Sequence, residues 1–296
     1  MSQNSPLIRN ISDTALWAAV YRARETDRPD AVFRDPFARR LAGERGERIA
    51  QSFSSTTPFE DMTDWTWLSR TYLFDSFISE AVRQGADRIL NLAAGLDARP
   101  YRMDLPKSLY WIEVDLPDIL AYKAEILRHD KPVCSLERVP LDLSNRTARR
   151  DVLEKLCEGA SRALIVTEGF VIYLTAEQVG DLAQDLGAIP RVHHWVLDLV
   201  SHGLLQRLQK TVNPQLGESG ASLKFGPEEG PLFFERYGWT PVDVRSSLKT
   251  AARLKRLPFL FRLMSLLPEP KGKPGNRPWS GVCLLKNQKA GPSGTR

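Results

Sequence analysis

Metal-ligand and disulfide patterns are what this 296-residue chain most plainly lacks. Its three cysteines, Cys134, Cys157 and Cys283, are odd in number and far apart, which excludes a disulfide framework. The four histidines, His129, His193, His194 and His202, stand in no zinc-like spacing, so no metal is expected. A reducing cytoplasm is the natural reading of that cysteine usage. No run of about 18 apolar residues exists, so no membrane span is expected. The first residues, Met1 to Pro6, show no basic stretch followed by an apolar one, so no secretory signal is expected. Internal repeats are missing too. What remains is 42% hydrophobic and 26% charged, the balance of a soluble globular protein. The length suits one large α/β domain, or one domain with a cap.

Acidic residues are scarce at one end. Residues 245–296 hold twelve Lys and Arg against a single acid, Glu269, a net +11, although the whole chain carries +5. The residues before them are therefore net −6. A basic tail of this kind is most often a solvated face; the alternatives are an anionic membrane, an acidic partner or nucleic acid. The tail lacks the interleaved stacking aromatics of a known nucleic-acid motif, so no nucleic acid is expected as partner.

Glycine is scarce where it would be most diagnostic. Residues 88–103 read as a strand running into a tight turn with one glycine, Gly95, and an acid, Asp97. A dinucleotide loop has three glycines, so that its backbone can approach a pyrophosphate. A carboxylate here would repel that group and suits a cationic ligand without phosphate, such as S-adenosylmethionine. The other reading is an ordinary strand-turn-helix. Asp115, at the end of the next strand, stands at a suitable distance along the chain to hold a ribose through its hydroxyls.

The first 86 residues carry no strand pattern and read as a helical cap. Residues 12–26 form a helix that Ser12 can cap, residues 37–41 a short one, residues 54–61 a polar loop, and residues 63–83 a helix rich in aromatics, among them Trp65, Trp67 and Phe77. From residue 87 the pattern alternates. Strands are expected at 89–93, 109–114, 136–140, 163–166 and 192–200. Helices are expected at 116–130, 146–156 and 176–186, the last capped by Thr175. Residues 242–245 and 282–285 suit a terminal antiparallel pair. Short apolar strands with helical crossovers imply a parallel sheet covered on both faces. A Gly/Pro/Lys-rich link follows at 268–278.

Four successive strand ends carry an acid: Asp97, Asp115, Asp142 and Glu168. Any one of them alone is ordinary. Ligands of open α/β sheets bind beyond the carboxyl ends of the strands, and clustered carboxylates repel one another unless something binds there. A cationic ligand with a ribose and an exocyclic amine would engage each acid.

With these residues in view, the chain resembles the leucine carboxyl methyltransferase family, bacterial branch, of class I S-adenosylmethionine-dependent methyltransferases. The resemblance spans roughly 13–239. It rests on Ala-Arg-Glu-Thr-Asp-Arg-Pro-Asp-Ala-Val-Phe-Arg-Asp-Pro-Phe-Ala (23–38), Arg-Thr-Tyr-Leu-Phe-Asp (70–75), Ala-Gly-Leu-Asp-Ala-Arg-Pro-Tyr-Arg-Met (94–103), Glu-Val-Asp-Leu-Pro (113–117), Leu-Asp-Leu (141–143) and Glu-Gly-Phe-Val-Ile-Tyr-Leu (168–174), in that order. Ala98 stands where the family often has threonine. The resemblance implies a Rossmann-like α/β fold with a mostly parallel seven-stranded sheet, helices on both faces and a helical cap (1–86) closing over the site of the core (87–296), one structural domain overall. It implies S-adenosyl-L-methionine as cofactor. Arg70, helped by Arg24, would pair with the carboxylate of the methionine part. Ala94 and Gly95 would let the backbone approach it, with Asp97 near its ammonium or in the turn. Asp115 and Leu116 would hold the ribose, Asp142 and Leu143 the adenine. Glu168 would close the site near the sulfonium. Phe170 and Tyr173 either pack under the sheet edge or touch the acceptor.

Methyl transfer from a sulfonium is an in-line displacement, so the protein chiefly aligns the acceptor and excludes water. A carboxylate acceptor is ionised at neutral pH and needs no base, whereas a hydroxyl would profit from one. Asp198, ending the fifth strand, is the best candidate base, with Glu168 and Tyr173 as the other candidate catalytic residues. The acceptor is expected to be a small molecule methylated on carboxylate or hydroxyl oxygen. The alternatives are a protein C-terminal leucine carboxylate, a non-catalytic cofactor binder, or a nucleic-acid-binding protein. Residues 248–278 match nothing in the family. Within them, 253–267 suits a peripheral helix, a lid over a hydrophobic acceptor, or a basic amphipathic helix in weak peripheral contact with a membrane.

Overall fold

The computed structural model describes residues 12–54, 60–216, 221–268 and 274–291. Three helices come first, α1 (Asp13–Thr26), α2 (Ala38–Ser54) and α3 (Glu60–Arg83). The remaining elements are β1 (Arg88–Leu92), α4 (Arg99–Arg102), β2 (Tyr110–Asp115), α5 (Pro117–Ile126), β3 (Ser135–Pro140), α6 (Arg146–Leu156), β4 (Ala163–Thr167), α7 (Ala176–Gly187), β5 (Val192–Val200), α8 (His202–Thr211), α9 (Asn213–Leu216), β6 (Trp239–Ser246), α10 (Ser247–Arg253), α11 (Phe259–Ser265) and β7 (Ser280–Asn287).

The seven strands form one sheet in the order β3-β2-β1-β4-β5-β7-β6, with only β7 antiparallel to its neighbours. Strand order reverses between β1 and β4, which pair in parallel from Arg88 opposite Ala163. This is the switch point at which open α/β sheets leave a crevice for a ligand. Strands that reach both sheet faces alternate their side chains between two cores. Leu90, Leu92, Ile112, Ile165 and Trp195 pack with Val179 and Leu182 of α7 and with Phe234 and Trp239. Ile89, Trp111, Leu164, Val166 and Val196 point the other way, onto Leu73, Phe74, Phe77 and Ile78 of α3. A third cluster joins α1 and α2 (Leu16, Val20, Leu41, Ile49) to Leu96, Ile119, Leu205 and Leu223 beside the strand ends.

Local chemistry explains several boundaries. Thr175 and Gln178 make the expected reciprocal cap of α7. Asn145 accepts from the Ala148 amide at the start of α6, and Ser201 from the Leu204 amide at the start of α8. Ser12, in contrast, has helical backbone angles and makes no side-chain cap of α1. The short helix expected at 37–41 continues to Ser54 through a kink at Gly43 (φ 55°, ψ −175°), a conformation that glycine tolerates. Helix α5 ends at Ile126, short of residue 130. The loop expected at 54–61 lies mostly outside the described residues, as does part of the link at 268–278. Residues 253–267 do not form one helix: α10 ends at Arg253, Lys255 has φ 58°, and Pro258 precedes α11. No helix among the described residues is long and apolar enough to cross a membrane.

Candidate active site

The carboxyl ends of β1, β2, β4 and β5 open into a cavity of about 1240 Å³, closed over by residues of α1, α3, α8 and α11. Its lining includes Ala94, Gly95, Asp97, Asp115, Leu116, Asp142, Leu143, Glu168, Phe170, Tyr173 and Asp198, together with Arg70. The strand-end acids singled out in the sequence thus share one cavity.

The turn after β1 is built for close backbone approach. Ala93 has φ 55° and Gly95 φ 47°, and a Cβ on Gly95 would stand 3.2 Å from Ala15 Cβ of α1. Asp115 locks this turn to β2. Its Oδ2 accepts from the Gly95 amide at 2.6 Å and its Oδ1 from the Leu116 amide at 2.7 Å. Each oxygen keeps a second lone pair, so the carboxylate can still accept two hydroxyls. Burial pushes the Asp115 carboxyl above its ordinary value, with the two amides pulling the other way. Asp142 Oδ1 accepts from the Ser144 amide at 2.9 Å, and its second oxygen has no partner among the described residues. That oxygen suits an exocyclic amine. The buried Leu143 holds Arg149 through its carbonyl at 2.8 Å.

Beneath the turn lies an ion-pair network that reading the sequence did not find. Its centre is Arg99, whose side chain is 2% exposed and touches three carboxylates: Asp75 at 2.6 Å, Asp97 at 2.9 Å and Glu168 at 2.8 Å. Asn91 Nδ2 also donates to Asp97 at 2.8 Å. Burial would raise the Asp97 carboxyl, yet the guanidinium of Arg99 and its neighbours hold it down to about 2. Asp97 is therefore an anion at any working pH. Arg102 adds two bonds to Asp75. The pattern Ala-Arg-Pro-Tyr-Arg at 98–102 was the available signal, since two arginines after an acidic turn demand partners.

Arg70 sits on the other side of Glu168. Its Nε donates to Glu168 Oε1 at 3.1 Å, its Nη1 stands 3.5 Å from Asp198 Oδ2, and the guanidinium stacks over Trp67 at 4.4 Å. Its Nη2 has no partner among the described residues. Gly169 allows this approach: it has φ +64°, and a Cβ there would come within 3.2 Å of Arg70 Nη1. Asp198 Oδ1 accepts from the Gly169 amide at 2.7 Å. Burial pushes its carboxyl upward, against the pull of Arg70.

Arg24 does not reach the cavity. It lies over the Tyr21 ring at 5.4 Å, and Arg22 lines the cavity instead. Arg22 Nη2 donates to the Leu96 carbonyl at 2.7 Å and its Nε to Asp35 at 2.9 Å. Tyr173 packs with the α1–α2 cluster, and burial raises its phenol. His194, driven by burial to about 4, starts β5 at the far end from the cavity. All three cysteines are buried and free; burial pushes Cys134 up to about 11 and Cys157 to about 12. No cluster among the described residues could hold a metal ion.

Comparison with known proteins gives this site a family. Residues 15–187 match the family described as leucine carboxyl methyltransferase. A Frankia alni protein assigned as an S-adenosyl-L-methionine-dependent methyltransferase is 31% identical over 249 residues, covering 82% of this chain and 88% of its own length. A Streptomyces coelicolor protein of the same assignment is 29% identical over 278 residues, covering 88% and 92%. The crystal structure of a DUF574 family protein from Streptomyces avermitilis superimposes with a TM-score of 0.58 at 11% identity, covering 90% of this chain and 96% of that one; this likeness bears on the fold alone. By the span of the family match and the extent of the Frankia likeness, the chain belongs to the leucine carboxyl methyltransferase family.

Proposed function

We propose that the chain transfers a methyl group from S-adenosyl-L-methionine to an oxygen of a small molecule, and that a carboxylate is the acceptor group its site serves best. Its membership of the family makes it an S-adenosylmethionine-dependent methyltransferase; the acceptor is our reading of the cavity. The observation that carries the reading is the cavity's size and mixed lining. At about 1240 Å³ it exceeds the ~300–1,000 Å³ of a site for one ligand. Its lining joins the strand-end acids to apolar side chains the acids do not need, among them Leu204, Leu208, Val212, Leu223 and Phe261.

The donor set fits the cofactor. Asp115 takes the ribose hydroxyls, and Asp142 with Leu143 takes the adenine. Arg70 offers Nη2 to the methionine carboxylate, as a planar guanidinium suits. Asp97 and Glu168 face the ammonium and sulfonium with negative charge, and Ala94 and Gly95 give the backbone its close approach. When bound, the cofactor supplies a methyl group already activated on sulfur. The protein then has to align the acceptor and exclude water, and α1 and α3, which line the cavity, serve as the cover that does so.

Glu168 and Asp198 are both already engaged by cations or amides, which disfavours them as bases. Glu168 is held by Arg70 and Arg99, and Asp198 by the Gly169 amide with Arg70 beside it. A carboxylate acceptor, ionised at pH 7, needs no base. The upward shift of Asp198 favours a second reading, in which a hydroxyl is methylated and Asp198 takes its proton. Labelled S-adenosylmethionine and a panel of carboxylic acids, phenols, alcohols and a leucine-terminated peptide test the proposal. Base-labile ester formed on small acids supports it. Label stable to base, or label found only on the peptide, overturns it.

A further inference from the structure

Large apolar side chains are exposed at nine described positions, and five of them fall within nine residues: Phe259 (76% exposed), Leu263 (53%), Met264 (48%), Leu266 (79%) and Leu267 (64%). Such clustering marks an interaction surface, whereas scattered exposed leucines mean little. These residues belong to α11 and the turn after it. The opposite side of the helix is engaged: Phe261 contacts Trp65 at 6.3 Å between ring centroids, and both line the cavity. The element therefore has an inner face toward the cavity and an outer apolar face turned to solvent.

Charge identifies what the outer face meets. Residues 247–268 contain five basic residues, Lys249, Arg253, Lys255, Arg256 and Arg262, and no acid. Arg256 is committed to Glu25 and Asp30, while Arg253, Lys255 and Arg262 are exposed beside the apolar residues. An apolar face rimmed by lysine and arginine matches the boundary of an anionic lipid surface, where acyl chains take the apolar side chains and headgroups the cations. A second copy of the chain fits poorly, because a two-fold contact would place this basic segment against itself. Crossing the bilayer is excluded by length, since α11 has seven residues and a span needs about 20.

We propose that α11 docks the protein peripherally on anionic phospholipid. Met264 and Leu267 belong both to the exposed patch and to the cavity lining, so the docked face adjoins the cavity. It follows, on the methyltransferase reading, that the acceptor is a lipophilic molecule reaching the cavity from the membrane side.

The test is co-sedimentation of the full chain with vesicles of phosphatidylcholine alone and of phosphatidylcholine with one-quarter phosphatidylglycerol, at low and high salt. Binding is expected to the anionic vesicles at low salt, weakened several-fold by salt. Phe259→Ser with Leu266→Ser should reduce it at least tenfold, and Arg253→Glu with Lys255→Glu comparably. None of these four residues lines the cavity, so S-adenosylhomocysteine binding by calorimetry should persist in both variants. That readout separates failure of the docking proposal from failure of the enzyme reading. Absence of vesicle binding by protein that binds S-adenosylhomocysteine overturns the docking proposal. So does binding that survives both double substitutions, or a self-associated form that Phe259→Ser with Leu266→Ser dissociates.

Discussion

Replacing Arg99 by methionine tests the reasoning about the network most sharply. The substitution keeps a long side chain in a site that is 2% exposed while deleting the cation shared by Asp75, Asp97 and Glu168. Removing one partner of a buried ion pair costs about 3–5 kcal/mol, a large part of the roughly 5–15 kcal/mol that holds a protein folded. The pH dependence carries an independent signature. The Asp97 carboxyl is lowered from 3.8 to about 2, which corresponds to about 2 kcal/mol of stability. Because the folded value is the lower one, this stability is present above about pH 4 and is lost between about pH 4 and pH 2. In the variant Asp75 keeps Arg102 and Glu168 keeps Arg70, but Asp97 stays buried without its strongest lowering neighbour, so burial pushes its carboxyl up and acidification favours the folded form. Asp115 and Asp198 are raised in both proteins and cancel in the comparison. Urea unfolding of both proteins from pH 7 to pH 4.5 should show a deficit of about 3–5 kcal/mol at pH 7 that narrows as the pH falls. A deficit under about 1 kcal/mol at pH 7, or one that widens in acid, would refute the assignment of Arg99 as the cation of the network.

Three further outcomes follow from individual contacts. Cofactor affinity should fall on acidification through a point above the ordinary Asp value of 3.8, because protonating the raised Asp115 carboxyl removes an acceptor for the ribose; calorimetry with S-adenosylhomocysteine between pH 7 and pH 4 reads this. Gly169→Ala places a Cβ 3.2 Å from Arg70 Nη1 at φ +64°, costs about 1–2 kcal/mol in backbone strain, and should weaken the cofactor about tenfold by displacing the guanidinium. Asp198→Asn should leave kcat within a few-fold and flatten no limb of the pH–rate profile if the acceptor is a carboxylate; a loss of about 10²-fold or more would mark Asp198 as the general base of the hydroxyl reading.

Strand β5 and helix α7 stand close to the residues expected of them, because each carries a strong local signal: a short, largely apolar run for the one, and the capping Thr175 for the other. The strand-end acids were legible for the same reason, since a strand's end fixes where the next side chain goes. The place of Arg22 on the cavity wall was not. Two positions along a helix turn the side chain by about 200°, so Arg22, just before the motif at 23–38, falls on the opposite face from Arg24. Nor was Arg99 legible as a hub. Its partners Asp75 and Glu168 come from α3 and the end of β4 and meet only once the sheet has formed. The break between α10 and α11 rests on Lys255 in a left-handed conformation, which apolar periodicity does not reveal. The basic excess of residues 245–296 was plain from composition, but which side chains share the exposed patch depended on that break.

The central claim is that Asp115 and its neighbours form a cofactor site for S-adenosylmethionine. Calorimetric titration of the purified chain with S-adenosylmethionine, S-adenosylhomocysteine and, as control, NAD tests it directly, with Asp115→Ala in parallel. The expected result is micromolar binding of the first two, loss of both in the folded variant, and none for NAD. Folded wild-type protein that binds neither sulfur ligand, or that binds NAD as tightly, would contradict the claim.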